Sequence, residues 1–130
     1  MARRGEGGAI TAVGSVTGLV SGPGIAAYAS AKAGLHNFVR SMAVELAPQH
    51  IRVNVVAPGT IRTPRGAQRQ NFEAWEQRIR DSLIPARRLG EAREVADAIL
   101  FLSSAMASFI TGHVLAVDGG YSAQTTLGLA

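Results

Sequence analysis

The stretch Ser15–Lys32, SVTGLVSGPGIAAYASAK, connects the first predicted strand to a long predicted helix. The glycines that surround Pro23 are typical of a loop. If the segment from Ala26 onward is helical, Tyr28 and Lys32 lie one turn apart on the same face. The stretch therefore predicts a loop that leads into a helix, with an ionisable pair near the start of that helix.

This pair, together with the serine thirteen residues before the tyrosine, is a candidate site for proton transfer. The ammonium of Lys32 beside the phenol of Tyr28 favours the phenolate, which makes the hydroxyl a better proton donor and acceptor. Lys32 is the only lysine among thirteen basic residues, and lysine, unlike arginine, can exchange its proton. The Ser15 hydroxyl is suited to hold a substrate oxygen. We therefore predict Ser15, Tyr28 and Lys32 as catalytic residues, although such a tyrosine–lysine pair also arises by chance.

The composition limits the possible classes of protein. A length of 130 residues with 47% hydrophobic and 17% charged residues predicts one globular domain over residues 1–130. The absence of cysteine excludes disulfides and thiolate metal sites, and no metal site is predicted. No segment is typical of a membrane span or a secretory signal, so we expect no membrane association and a cytoplasmic location. The net charge of +4 comes from scattered arginines, which does not favour nucleic-acid binding.

Strand and helix patterns alternate along the chain, and the βαβαβ order predicts an α/β fold with parallel strands and helices on both faces. The predicted strands are Gly8 to Ser15 (broken at Gly14), Ile51 to Ala57 and His113 to Val117. The predicted helices run from Gly24 or Ile25 to Leu46, from Phe72 to Leu83, and from Glu91 to about Ser104 with Val95, Ala96, Ile99 and Leu102 inside. The segment from Thr60 to Ala67 is predicted to be a loop.

In parallel sheets, ligands bind beyond the carboxyl ends of the strands. Ser15 and the turn Pro58-Gly59-Thr60 both follow predicted strands, so both should lie at that edge. The sequence thus places the proton-transfer candidates and a second loop at one end of the sheet.

A larger set of residues, in matching order and spacing, extends over nearly the whole chain. These are Ser15, Tyr28 and Lys32, Arg52-Val53-Asn54 leading into Pro58-Gly59-x-Ile61-x-Thr63, Arg88-x-Gly90 before Glu94-Val95-Ala96, Thr111-Gly112, and Asp118-Gly119-Gly120. With them the sequence resembles the carboxyl-terminal half of the short-chain dehydrogenase/reductase family. The resemblance implies a three-layer, Rossmann-like half-domain with a short parallel sheet of about three strands.

The resemblance also implies roles for individual residues. Tyr28 resembles the family's general acid/base, Lys32 the residue that assists it and binds the nicotinamide ribose, and Ser15 the substrate-orienting hydroxyl. The implied cofactor is NAD or NADP, and the substrate is a small carbonyl compound or alcohol. The cofactor-binding residues implied are Tyr28, Lys32, Pro58, Gly59, Ile61 and Thr63. The helix over Phe72–Leu83 resembles the variable lid over the substrate.

The amino-terminal features of the family have no counterpart here, because only fourteen residues precede Ser15. Among these features are the glycine-rich phosphate turn and the catalytic asparagine. We therefore expect a truncated domain that binds a dinucleotide poorly by itself. Its first strand should be an exposed edge, which predicts a homo-oligomer, a complementary chain that carries the other half, or a rearranged local fold.

Three functions remain open at this point. The chain is the catalytic half of a nicotinamide-dependent oxidoreductase, a cofactor-independent oligomeric isomerase, dehydratase or cyclase with the same residues, or a non-catalytic binding module. The first is favoured because the catalytic-type residues and the nicotinamide loop are all present. Among other polar residues, we predict His36 and His113 at the surface or packed on strands, Asp118 as a turn former, and Asn54 bonded to backbone.

Overall fold

The computed structural model describes Met1, residues 5–68 and residues 70–124, and its main feature is a three-stranded parallel sheet. The strands are β1 (Gly8–Val13), β2 (Ile51–Pro58), β3 (Ile61–Arg62), β4 (Gly90–Glu91) and β5 (Val114–Val117). The order in the main sheet is β1-β2-β5, with both pairs parallel. The helices are α1 (Ala26–Leu46), α2 (Pro64–Ala67), α3 (Phe72–Leu83) and α4 (Ala92–Ser103). The predicted α/β fold with a short parallel sheet is confirmed.

The central strand β2 buries apolar side chains on both of its faces, and each face carries its own helix. Because side chains alternate along a strand, Val53 and Val55 face one side and pack with Val39 of α1. Val56 faces the other side and packs with Leu102 of α4. Fully burying one such side chain contributes roughly 1.5–3 kcal/mol. The two clusters therefore hold the three layers together.

The segment predicted as a loop between Thr60 and Ala67 contains two short elements instead. Strand β3 pairs in parallel with β4, with Ile61 opposite Gly90, and α2 follows directly. A strand of two residues shows no periodicity, so the sequence pattern could not reveal it. This second small sheet continues the chain from the end of β2 and ties it to the start of α4.

Helix α4 begins with a capping box, in which Glu91 is the N-cap and the Glu94 side chain accepts from the Glu91 N–H at 2.8 Å. The prediction that Ala96 faces inward is wrong, because Ala96 is exposed. The inward stripe follows the i, i+3, i+4, i+7 spacing of a helix. Its members are Val95, Ala98, Ile99 and Leu102.

Two polar side chains of β2 hold the connection between α4 and β5. Asn54, fully buried, donates to the Ile110 carbonyl at 2.8 Å and accepts from the His113 N–H at 3.0 Å, as predicted. Arg52 donates to the carbonyls of Leu102 at 2.8 Å and Ser104 at 3.0 Å. These contacts fix the loop from which β5 starts.

Strand β1 is an outer strand of the main sheet. The N–H groups of Gly8 and Gly14 donate toward β2, to the carbonyls of His50 and Val56. Since the hydrogen-bonding direction alternates along a strand, the N–H groups of Ala9, Thr11 and Val13 point away from β2. No helix in the part of the chain that the structure describes is long and apolar enough to cross a membrane.

Replacing Asn54 by alanine should lower the free energy of unfolding by roughly 2–4 kcal/mol, because two backbone groups lose their partner within the core. Equilibrium denaturation in urea measures the change. The matched control is Asn37→Ala on the exposed side of α1, for which we expect less than about 0.5 kcal/mol. Equal effects of the two substitutions would contradict the role given to Asn54.

Candidate active site

Tyr28 and Lys32 occupy the first two turns of α1, as the spacing predicted. The Lys32 ammonium lies 5.7 Å from the centre of the Tyr28 ring and donates to the Val13 carbonyl at 3.1 Å. Half of the Tyr28 side chain is exposed. Lys32 therefore joins the start of α1 to the carboxyl end of β1 and contacts the Tyr28 ring.

Ser15 follows β1 at the same edge and is buried. Its hydroxyl oxygen accepts from the Thr17 N–H at 3.2 Å and from the Thr17 hydroxyl at 2.9 Å, which makes it the N-cap of the short turn Val16–Gly18. Since both bonds use lone pairs, the Ser15 hydroxyl keeps its own proton to donate. Among the described residues, its hydrogen bonds go to Thr17 and not to Tyr28 or Lys32.

The register of the main sheet brings two predicted loops to one edge. Val13 of β1 lies opposite Val56 of β2, and the Gly14 N–H donates to the Val56 carbonyl at 2.8 Å. Ser15 and Pro58 therefore leave neighbouring strands at nearly the same level. The predicted convergence at the carboxyl edge is present at the level of the backbone.

The segment from Pro58 to Thr63 is held on both sides. The Gly59 N–H donates to the Val117 carbonyl at 2.9 Å, and a Cβ at Gly59 would come within 2.7 Å of the Asp118 Cβ. Thr63 caps α2, with its hydroxyl oxygen accepting from the Gly66 N–H at 3.0 Å. Ile61 lies in β3. The backbone of the segment is thus fixed at the end of the sheet.

Asp118 is the turn former that the sequence predicted. Its carboxylate accepts from the Gly120 N–H at 2.9 Å, from the Ser122 N–H at 2.8 Å and from the Ser122 hydroxyl at 2.6 Å. Partial burial alone would raise the pKa of Asp118, but these hydrogen bonds outweigh it and hold the pKa below its ordinary value. The turn after β5 therefore depends on an ionised carboxylate.

Helix α3 borders this edge and is attached by ionic contacts. Arg62 of β3 pairs with Glu76 of α3 and with Glu91 at 3.3 Å, and its guanidinium lies 5.8 Å from the centre of the Phe72 ring. No residue of α3 is fully buried.

A neighbouring ion pair, Arg88–Glu94, is bidentate. The hydrogen bonds from Arg88 are the main cause that lowers the pKa of Glu94 to about 2.

His36 is a part of the site that the sequence analysis missed. It is 1% exposed, so its predicted surface alternative is wrong, and its Nε2 accepts from the Ser15 N–H at 3.5 Å. The available signal was its position, since Tyr28, Lys32 and His36 follow one another at four-residue spacing on one face of α1. His113, by contrast, is exposed.

A cleft of about 350 Å³ borders the Ser15 loop. Thr17, Leu19 and Ser21 line it from the loop, and Ala29 and Ala33 line it from α1. In the described part of the chain, no group of three His, Asp or Glu side chains is arranged to hold a metal ion. The arrangement provides a phenol, an ammonium and a hydroxyl at one edge, which is suited to proton transfer and hydrogen bonding.

Comparison with known proteins identifies relatives of this chain. A family model described as enoyl-(acyl carrier protein) reductase matches residues 1–122. The 3-oxoacyl-[acyl-carrier-protein] reductase of Mus musculus is 47% identical over 117 residues, which covers 88% of this chain and 45% of the mouse protein.

Solved structures of oxidoreductases also superpose on this chain. An NADPH-bound short chain oxidoreductase from Pseudomonas aeruginosa PAO1, described as containing an atypical catalytic center, superposes with a TM-score of 0.81 at 38% identity, covering 90% of this chain and 47% of that one. Acetoin dehydrogenase from Salmonella typhimurium gives a TM-score of 0.80 at 38% identity, covering 95% and 46%. The chain spans about half the length of these relatives.

Replacing Asp118 by asparagine should weaken the protein at neutral pH and remove part of its acid sensitivity. Because the pKa of Asp118 lies below its ordinary value of 3.8, its contribution to the unfolding free energy is present above about pH 4 and is lost as the pH falls further. Denaturation between pH 3 and pH 7 measures the difference between wild type and Asp118→Asn. The exposed carboxylate of Asp97, replaced in the same way, is the control; a wild-type minus Asp118→Asn difference that is constant with pH would contradict the prediction.

Proposed function

This chain belongs to the short-chain dehydrogenase/reductase family, and we propose that it is the catalytic half of an NAD(P)-dependent oxidoreductase that interconverts a small carbonyl compound and an alcohol. The observation that carries the proposal is the position of Lys32, whose ammonium lies between the Tyr28 ring and the carboxyl end of β1. The family's ligands, as expected for a parallel sheet, bind at that end.

The proposed mechanism assigns the proton to Tyr28 and the orientation of substrate to Ser15. In the direction of reduction, the Tyr28 hydroxyl donates its proton to the carbonyl oxygen, and the Lys32 ammonium stabilises the phenolate that remains. The Ser15 hydroxyl, whose proton is still free, donates a hydrogen bond to the same oxygen. When bound, the nicotinamide supplies the hydride.

The residues present fit one end of such a cofactor. Lys32 has three N–H groups, and one is used by the Val13 carbonyl, so others remain for ribose hydroxyls. The Thr63 hydroxyl uses a lone pair in capping α2 and keeps its proton for a carboxamide oxygen. Pro58, Gly59 and Ile61 would form the backbone wall beside the nicotinamide. These residues would hold only the nicotinamide end of the cofactor, so the pyrophosphate needs other donors.

We propose that a second polypeptide, either a complementary chain or another copy of this one, completes the domain along β1. The outward N–H groups of β1 are ready to pair with another strand, and Ile10 and Val13 are 44% and 49% exposed beside them. A groove of about 610 Å³ adjoins the amino end of this strand, lined in part by Ala9 and Phe109. Phe38 and Val44 of α1 are exposed apolar side chains that are also available for association.

Replacing Tyr28 by phenylalanine should lower carbonyl reduction at least about 100-fold, because the proton donor is lost while the ring remains. Oxidation of NADPH by the chain together with its complementary half, with a panel of small ketones and β-ketoesters and monitored at 340 nm, measures the change. The matched control is Tyr121→Phe in the turn after β5, which should keep full activity. Carbonyl reduction that persists in Tyr28→Phe would contradict the proposed mechanism. Catalysis without nicotinamide would favour an isomerase, dehydratase or cyclase.

Saturable binding of NADPH should appear only after a second chain completes the phosphate site. The test partner is the amino-terminal half of the mouse reductase, and fluorescence titration measures binding with and without it. Ala9→Pro removes an outward N–H of β1, so it should weaken association with the partner roughly tenfold, since 1.4 kcal/mol is a factor of ten. Ala9→Val keeps that N–H and is the control. Full NADPH affinity of the isolated chain, or equal association of the two variants, would contradict the edge-pairing proposal.

A further inference from the structure

The imidazole of His36 is enclosed between α1 and the backbone that surrounds Ser15. It is 1% exposed, although histidine is a polar side chain that the core must accommodate by hydrogen bonds. The hydrogen-bond partners of the His36 ring must therefore come from the residues that are packed around it.

The two ring nitrogens have different roles. Nε2 lies 3.5 Å from the Ser15 nitrogen and accepts its N–H, which requires an unprotonated Nε2. The proton of a neutral imidazole then resides on Nδ1, which lies beside the Gly18 backbone but makes no hydrogen bond of standard geometry in the described structure. The geometry thus selects the neutral Nδ1–H tautomer.

Two glycines on either side of Ser15 leave the space that the ring occupies. A Cβ at Gly14 would overlap with Nε2 of His36. A Cβ at Gly18 would lie 2.7 Å from Nδ1 and 2.9 Å from the Lys32 carbonyl carbon. The ring is therefore in contact with the chain both before and after Ser15, at the place where that segment packs on α1.

We propose that His36 is a positioning residue for Ser15. Its neutral imidazole accepts the Ser15 N–H and packs against the turn Val16–Gly18. The inference rests on the proposed function only where it takes the Ser15 hydroxyl to bind the substrate oxygen. Because His36, Lys32 and Tyr28 share one face of α1, the same helix that carries the phenol also fixes the serine. The relative position of the two hydroxyl groups then depends on one rigid element.

Protonation of His36 would disrupt this support. The new Nε2–H would be a donor directed at the Ser15 N–H, and the cation would be buried near Arg40 and Lys32 of the same helix. Burial is the main cause that lowers the pKa of His36, Arg40 and Lys32 add to it, and the Gly18 backbone opposes it. The residues that meet the ring from outside α1, Gly14, Ser15 and Gly18, have no ionisable side chain. The support is therefore complete above about pH 6.5 and is lost only as the pH falls below the lowered pKa.

Nitrogen NMR of the chain labelled with ¹⁵N at its histidines and backbone tests the proposal without any activity. At pH 7 the His36 ring should show a protonated Nδ1 and an unprotonated Nε2, and it should remain neutral at pH values below the ordinary histidine pKa of 6.5. The Ser15 amide resonance should shift together with the His36 titration. A protonated Nε2 at pH 7, or a Ser15 amide that does not follow His36, would overturn the inference.

Two substitutions separate support of Ser15 from simple filling of space. His36→Gln can place an amide oxygen near the position of Nε2, whereas His36→Leu keeps the bulk and removes the acceptor. We expect hydrogen exchange of the Ser15 amide to increase roughly fivefold in His36→Leu and to stay near wild type in His36→Gln. Equal exchange in both variants would contradict the proposal. If His36→Leu does not fold, the wild-type NMR spectra and the exchange rate in His36→Gln still test whether His36 positions Ser15.

Kinetics of the completed enzyme add a readout that a purely structural role would not move. If His36 acts through Ser15, His36→Leu should lower kcat in the wild type but cause no further loss in a Ser15→Ala background. Additive losses would overturn the positioning role. If no reduction occurs at all, the proposed function fails while the NMR and exchange results still test the inference about His36.

Discussion

The arrangement of this chain depends on one constraint, namely that β2 must bury apolar side chains on both of its faces. Val55 and Val56 are adjacent, point in opposite directions and are both fully inaccessible. A strand of this kind requires one layer of helix on each side and a neighbouring strand on each edge. Once α1 and α4 supply the layers, β1 and β5 flank β2 in parallel. The carboxyl ends of the three strands then meet, and with them the loops that carry the candidate site.

The sequence predicted the elements whose signals are repeated over many residues. Helix α1 and strand β2 were placed almost to the residue, because twenty-one and eight residues give a clear period or a clear apolar run. The pair β3–β4 was missed because two residues cannot show a period. Ala96 was misplaced because the inner stripe of α4 passes through Ala98 instead.

The candidate site was predictable as a set of residue types but not as a set of contacts. Tyr28 and Lys32 followed from helical spacing alone. Ser15 was found as a hydroxyl at a strand end, yet its bonds to Thr17 depend on the conformation of a short turn. His36 was missed because histidine on a helix usually faces water, and only the absence of side chains at Gly14 and Gly18 makes room for it. Such complementarity between distant residues has no local signature.

The proposed completion of the domain along β1 would divide two tasks with different physical requirements. Proton transfer requires atoms within hydrogen-bond reach, and the residues proposed for it, Tyr28, Lys32 and Ser15, all belong to the segment from β1 to α1. Phosphate binding requires backbone donors, which the proposed second chain would contribute. Joining separate chains costs roughly 4–15 kcal/mol of translational and rotational freedom. A stable assembly therefore needs an interface of about 1,200–2,000 Å², which the β1 edge and the adjoining groove can provide only as part of a larger contact. Association through α1, where Phe38 and Val44 are exposed, would extend that contact without disturbing the edge that carries the chemistry.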